Sequence, residues 1–207
     1  MGHRALVAYE RRDGQYNLHY THWGACNLRL KQTIAAETPY GGDEPEARWP
    51  RDVHENLTNG ASVADVQEQY ELEGIQRDVE VVPQVVGVTF DTAIRDHLNY
   101  LSHEAFYIVS REFEVTAYRT HWFGLQYEAK SVTAGETVGN GALQTVRWYN
   151  GEPVGDGFAQ GEFQGLKAVV GDLVDRGVFS EDQALAYTEA KLREWNNDGD
   201  VIVRRRN

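Results

Sequence analysis

The stretch RALVAYERRDGQYNLHYTHW, residues 4–23, constrains the fold more than any other part of the chain. Two runs rich in β-branched and aromatic residues flank Asp13-Gly14. That pair favours a tight reversal, because glycine adopts a positive φ without a steric penalty. A β-hairpin is therefore predicted at the start of the chain. Side chains alternate across a strand, so Tyr16, Leu18, Tyr20 and His22 are expected on one face. Asn17, His19, Thr21 and Trp23 are expected on the other.

The remaining chain must extend or cover that hairpin. Residues 25–36 read as a helix, and 37–60, with three of the five prolines, as a long surface excursion carrying Trp49. Asn56-Leu57-Thr58 matches a glycosylation sequon, read as coincidence without an export signal. Ser62 with Asp65 signals a helix start, and Val63, Val66 and Tyr70 form a stripe that stops before Gly74. Strand-like runs at 78–82 and 84–90 precede a short helix over 91–100. Further strands are predicted over 105–110, 112–122 and 142–150. Phe163, Leu166, Val170, Leu173 and Val174 mark an amphipathic helix ending at Gly177. Ser180 with Gln183 opens a second helix to about Trp195, and a short strand closes the chain.

Strands first, helices later and no strict βαβ alternation predict an α+β fold. Its sheet is mostly antiparallel, with an N-terminal β-hairpin and a C-terminal αα-hairpin. One domain is expected over 1–207, with a sheet-rich part at 1–160 and the helical hairpin and final strand at 161–207.

Charge narrows the setting. The 207 residues carry a formal charge of −12, and only four of the 20 basic residues are lysines: Lys31, Lys130, Lys167 and Lys191. Abundant carboxylates with few lysines suit a protein kept hydrated in molar salt, where repulsion is screened within roughly 3 Å. A halophilic source is inferred. A nucleic-acid mimic or a cation store is the competing reading of the same acidity. Charged residues interrupt every apolar stretch, and MGHRALVAYERR has no leader-like apolar core, so a cytoplasmic location without a membrane is expected. A virion location applies if the gene is viral. The single cysteine, Cys26, excludes an internal disulfide and a zinc ribbon. It lines up with Leu28 and Leu30, or with Leu30 and Ile34, as a small core residue.

Thr-His-Trp occurs twice, at 21–23 and 120–122, each time at the end of a β-rich run and close to a glycine. An internal duplication would place the two copies on equivalent strands. His22 and His121 would then continue the inward side of their strands, with Trp23 and Trp122 facing away. Two such imidazoles could share a metal or a phosphate, with Glu128 or Glu112 as a further ligand. The competing reading is that each histidine only caps its strand through a hydrogen bond. Glu112 and Glu114 share a strand face in this reading, but such acid pairs are common in this chain. Gly151, Gly155, Gly157, Gly161 and Gly165 do not have phosphate-loop spacing, and GxSxG, HExxH and EF-hand patterns are missing. Arg204, Arg205 and Arg206 form the only basic run and could touch RNA or an acidic partner.

The opening MGHRALVAYERRDGQYNLHYTHWGA resembles an uncharacterised small domain family of haloarchaea and their viruses. The resemblance covers that hairpin and implies no activity, cofactor or catalytic residue. Three functions therefore compete. The first is a non-catalytic binding or assembly protein making homo- or hetero-oligomeric contacts through Trp23, Trp49, Trp122 and the C-terminal hairpin. The second is a small hydrolytic or metal-dependent enzyme centred on His22 and His121. The third is an RNA- or ribosome-associated factor using Arg204–Arg206. The first is preferred, with no cofactor expected and the enzyme reading left open.

Overall fold

The computed structural model describes residues 2–42, 47–75, 77–196 and 199–205. The N-terminal hairpin forms from β1 (Ala5–Glu10) and β2 (Tyr16–Thr21), in register from Ala5 opposite Thr21 to Glu10 opposite Tyr16. Gly14 takes φ +75° in the turn, and Asp13 accepts the Gln15 amide at 3.0 Å.

The hairpin continues into a seven-stranded sheet. The other strands are β3 (Val85–Val88), β4 (Ala105–Val109), β5 (Val115–Trp122), β6 (Gly141–Thr145) and β9 (Val201–Arg204). The order is β3-β2-β1-β4-β5-β6-β9. Every neighbouring pair is antiparallel except β1 with β4. The α+β class and the mostly antiparallel sheet therefore hold. Two further strands, β7 (Arg147–Tyr149) and β8 (Glu152–Val154), form a separate ribbon.

Both faces of the sheet are covered. Ala5, Val7, Tyr9, Tyr107, Val109 and Ala117 pack beneath α2 (Trp49–Thr58) and α3 (Val63–Tyr70), which contribute Val53, Leu57 and Val66. On the opposite face Leu6, Ala8, Leu18, Phe106 and Leu143 meet Ile94, Leu98 and Tyr100. The C-terminal hairpin is α5 (Asp156–Asp175) with α6 (Glu181–Trp195). Phe163 and Leu192 pack on Ala142 and Phe123, so the hairpin covers the β5–β6–β9 half of the sheet. α6 opens on the expected Ser180–Gln183 capping box, and Gly177 has φ +69° just after α5. Arg119 fastens this half down. Its Nε and Nη2 donate to both oxygens of Asp156, at 2.7 and 2.6 Å, and its Nη1 donates to the Ala25 carbonyl at 2.8 Å.

Several local expectations are corrected. Residues 25–36 contain only a 3₁₀ turn at Cys26–Leu28 and the single turn α1 (Leu30–Thr33). Asn27 and Leu28 adopt left-handed φ values of 50° and 51°, which stops a continuous helix. Leu28, Leu30 and Ile34 are buried as expected, while Cys26 is only half-buried. The excursion at 37–60 contains α2, because Pro50 sits in its first turn, where a missing N–H does no harm. Residues 78–82 run beside β2 through the Glu80 N–H on the Tyr20 carbonyl (2.8 Å) without forming a strand. The helix expected over 91–100 is a short turn, α4 (Phe90–Thr92), followed by a π-helical turn over Ala93–His97. β5 starts at Val115, because residues 110–114 form a turn in which Ser110 Oγ accepts the Glu112 and Glu114 amides. Those two acids therefore do not share a strand face. The strand expected over 142–150 breaks at Val146 into β6 and β7.

Candidate functional site

The two Thr-His-Trp segments end β2 and β5, strands separated by β1 and β4. The sheet register carries Thr21 across Ala5 and Ala105 to Arg119, so Thr21 is level with Arg119 and not with Thr120. A one-residue offset sends equivalent side chains to opposite faces. His121 therefore shares a face with Arg119, and His22 belongs to the other. The expectation that both histidines continue the same inward side is overturned. Three strand spacings, roughly 14 Å, also separate the two strands.

Each imidazole has its own local role. His121 is buried, donates Nε2–H to Gln144 Oε1 at 2.7 Å and lies 4.5 Å from the Phe163 ring. Burial lowers its pKa to about 4, and Gln144 only partly opposes this. Just past the end of β2, His22 Nδ1 shares a hydrogen bond with the Tyr20 hydroxyl at 3.0 Å, and its ring packs edge-on to Trp23 at 4.9 Å. Glu128 lines the same cavity as His121 but is paired with Lys167, and Glu112 lies at the opposite end of β5 from His121. Among the described residues no group of three His, Cys, Asp or Glu could hold a metal ion. The shared-metal constellation of His22, His121 and Glu128 is not formed.

Instead, each segment lines a cavity of its own. Thr21, His22 and Trp23 border one of about 520 Å³ with Arg29, Ile75 and Asp78. Thr120, His121 and Trp122 border another of about 490 Å³, shared with Tyr127, Glu128 and Lys167. Lys167 is 3% exposed, and its Nζ sits 3.2 Å from Glu128 Oε2 and 4.6 Å from the centre of the Trp122 ring system. Desolvation lowers the Lys167 pKa, with Glu128 opposing it. His103 lines the same cavity and is held uncharged, its pKa lowered to about 4 by burial and by Arg4. Sequence reading did not single out Lys167. Its only signal was a lysine on the apolar stripe of α5, one residue from Leu166 and three from Val170.

The other predicted contact residues divide. Trp23 is half exposed, as a contact residue needs, whereas Trp122 is buried and donates its indole N–H to the Glu136 carbonyl at 2.8 Å. Trp122 is therefore a core residue, contrary to expectation, because the offset register turns it into the second core. Trp49 is half-buried at the start of α2 beneath the Arg77 guanidinium, 5.3 Å away. Arg204 pairs with Asp91, and Arg205 donates to Glu189 at 2.6 Å. The prediction for Arg206 lies outside the described residues.

A feature that the sequence reading missed lies along α5. The exposed positions from Gly157 to Val169 are Gly157, Phe158, Gly161, Gln164, Gly165, Ala168 and Val169, and none is charged. Phe158 is 70% and Val169 59% exposed. Among the described residues, β-carbons added at the three glycines would meet nothing within 4 Å. Its signal in the sequence is the four-residue spacing of Gly157, Gly161 and Gly165, which keeps one helix face free of side chains.

Residues 1–203 match the model of a family of unknown function, DUF6735. No curated protein and no solved structure matches the chain.

Proposed function

The chain belongs to this family of unknown function, and for it we propose a non-catalytic role in binding or assembly, made through protein–protein contacts of the C-terminal helical hairpin. The carrying observation is the outward face of α5. In a chain of charge −12 it presents a run of uncharged positions with Phe158 and Val169 laid open to water. Large exposed apolar side chains grouped on one surface are the usual mark of a contact site. Tyr149 and Val154, on the ribbon before α5, and Val178 and Tyr187, after it, extend the apolar exposure. The acidic, lysine-poor remainder supports a salt-adapted protein from a halophilic source, where screening lets acidic surfaces approach.

The enzyme reading loses its basis because His22 and His121 face opposite sides of the sheet. Support for the RNA reading is reduced by the ion pairs that hold Arg204 and Arg205. The test combines sedimentation velocity in molar salt with affinity recovery from the native host, for wild type and for F158S/V169S. Self-association or a defined set of protein partners that the double variant loses is the expected result. A monomer whose partners are the same in both forms rules the proposal out.

A further inference from the structure

The cavity beside Trp122 holds an amine in a setting that an architectural lysine does not need. Lys167 is buried, its Nζ lies 3.2 Å from Glu128 Oε2, and the Trp122 indole closes one side. Glu128 Oε2, the carboxylate oxygen nearest the amine, is buried and faces the Lys167 ammonium, so a proton can pass directly between the two groups. The Tyr100 hydroxyl, on a residue of the same cavity wall, is also buried without a partner. Tyr100, Trp122, Tyr127 and Phe163 give the otherwise polar wall an aromatic part, and the volume of about 490 Å³ suits a small molecule.

We propose that this cavity captures small aromatic aldehydes and related carbonyl compounds as an imine on the Lys167 amine, with Glu128 carrying the proton. Glu128 first takes a proton from the Lys167 ammonium. The freed amine attacks the carbonyl carbon, and a proton moves from nitrogen to oxygen to give a neutral carbinolamine. Glu128 then returns its proton to the hydroxyl, which leaves as water while the nitrogen lone pair forms the C=N bond. Ammonium and aldehyde thus yield protonated imine and water, Glu128 ends as a carboxylate, and no oxidant or reductant is consumed. The low-dielectric setting favours the uncharged amine that this step requires, since burial lowers the Lys167 pKa. An anionic ligand fits less well, because Glu128 already neutralises the amine. The proposal is argued from the Lys167–Glu128 pair and not from the contact reading, although Gly161 and Gln164 of the outward α5 positions also border this cavity.

The chain has only four lysines, so labelling can be mapped without ambiguity. Full-length protein in molar salt would be incubated with benzaldehyde and sodium cyanoborohydride, which reduces an imine to a stable secondary amine. Intact mass and peptide mapping then locate the adduct. Lys167 is expected to be labelled ahead of the exposed Lys130, and K167R removes that adduct. E128Q slows labelling at Lys167 on the order of a hundredfold, the contribution of a positioned proton carrier. Labelling of Lys130 or the N-terminal amine with Lys167 untouched overturns the proposal, as does an E128Q rate equal to wild type. The wild-type map decides the matter even where a variant fails to fold.

Discussion

Arg119 shows how one side chain holds two parts of this molecule together. Its guanidinium meets both oxygens of Asp156 and a backbone carbonyl beside the 3₁₀ turn, and the two side chains are only 8% and 12% exposed. Removing one partner from such a pair leaves a buried charge without compensation. D156A is therefore expected to lose about 3 kcal/mol of stability, measured by denaturant titration in molar salt. A loss below about 0.5 kcal/mol would mean that solvent screens the pair. The histidines give a second test at this scale. Burial is the leading cause that lowers His54, His103 and His121 to about 4 and His19 to about 3. Between pH 6.5 and about 4 the unfolded chain binds more protons than the folded one. Their contribution is thus present above the unfolded pKa of about 6.5 and fades as pH falls toward about 4. Stability that is flat across this window, followed by denaturant titration at successive pH values, would contradict their buried neutral state. His22 and His121 illustrate what the sequence left open. Alternation along each strand was legible, but which face points inward depends on neighbouring strands.

At the scale of elements, the end of α5 and the start of α6 are readable because their signals are local, whereas α5 itself starts at Asp156, ahead of the helical part expected over 161–207. A Ser180–Gln183 box and a glycine two residues past α5 need no distant contact to act. S180A should cost about 1 kcal/mol, detected as a lower denaturation midpoint. The α5 glycines behave differently. Glycine in a helix interior is worse than alanine by about 1 kcal/mol, and among the described residues nothing lies within 4 Å of a β-carbon added at Gly161 or Gly165. G161A/G165A is therefore expected to raise the stability of the protomer while weakening any protein contact of this face. Thermal melting and sedimentation measured together check both halves. Gains in both, or losses in both, would separate these glycines from the contact surface. Residues 25–36 were misread because Leu28, Leu30 and Ile34 satisfy two periodicities, and only the tertiary core selects the kinked path.

Across the whole molecule, β9 pairs with β6, so the last described strand completes a sheet begun by the first. Unfolding is accordingly expected as one cooperative transition over the full chain. Two resolved transitions, seen by circular dichroism and tryptophan fluorescence together, would divide it instead. The net charge of −12 adds a condition. Lowering salt from molar to about 0.01 M extends the Debye length from about 3 to about 30 Å, and self-repulsion should destabilise the fold. An unchanged melting temperature across that range would remove the salt-adaptation reading. Among the described residues no helix is long and apolar enough to cross a membrane.

What the sequence determined by itself was short-range: the Asp13-Gly14 hairpin, the alternation along each strand, the C-terminal end of α5, both ends of α6, and the acidity of the chain. These rest on backbone preferences and side-chain spacing within a few residues. Only the tertiary structure decided that β2 and β5 stand one residue out of step, so that one Trp-bearing segment enters the core and the other does not. It alone brought Lys167 from α5 to Glu128 and Trp122. Register and burial are set by strands and helices distant in the chain, and no local pattern encodes which neighbours they will meet.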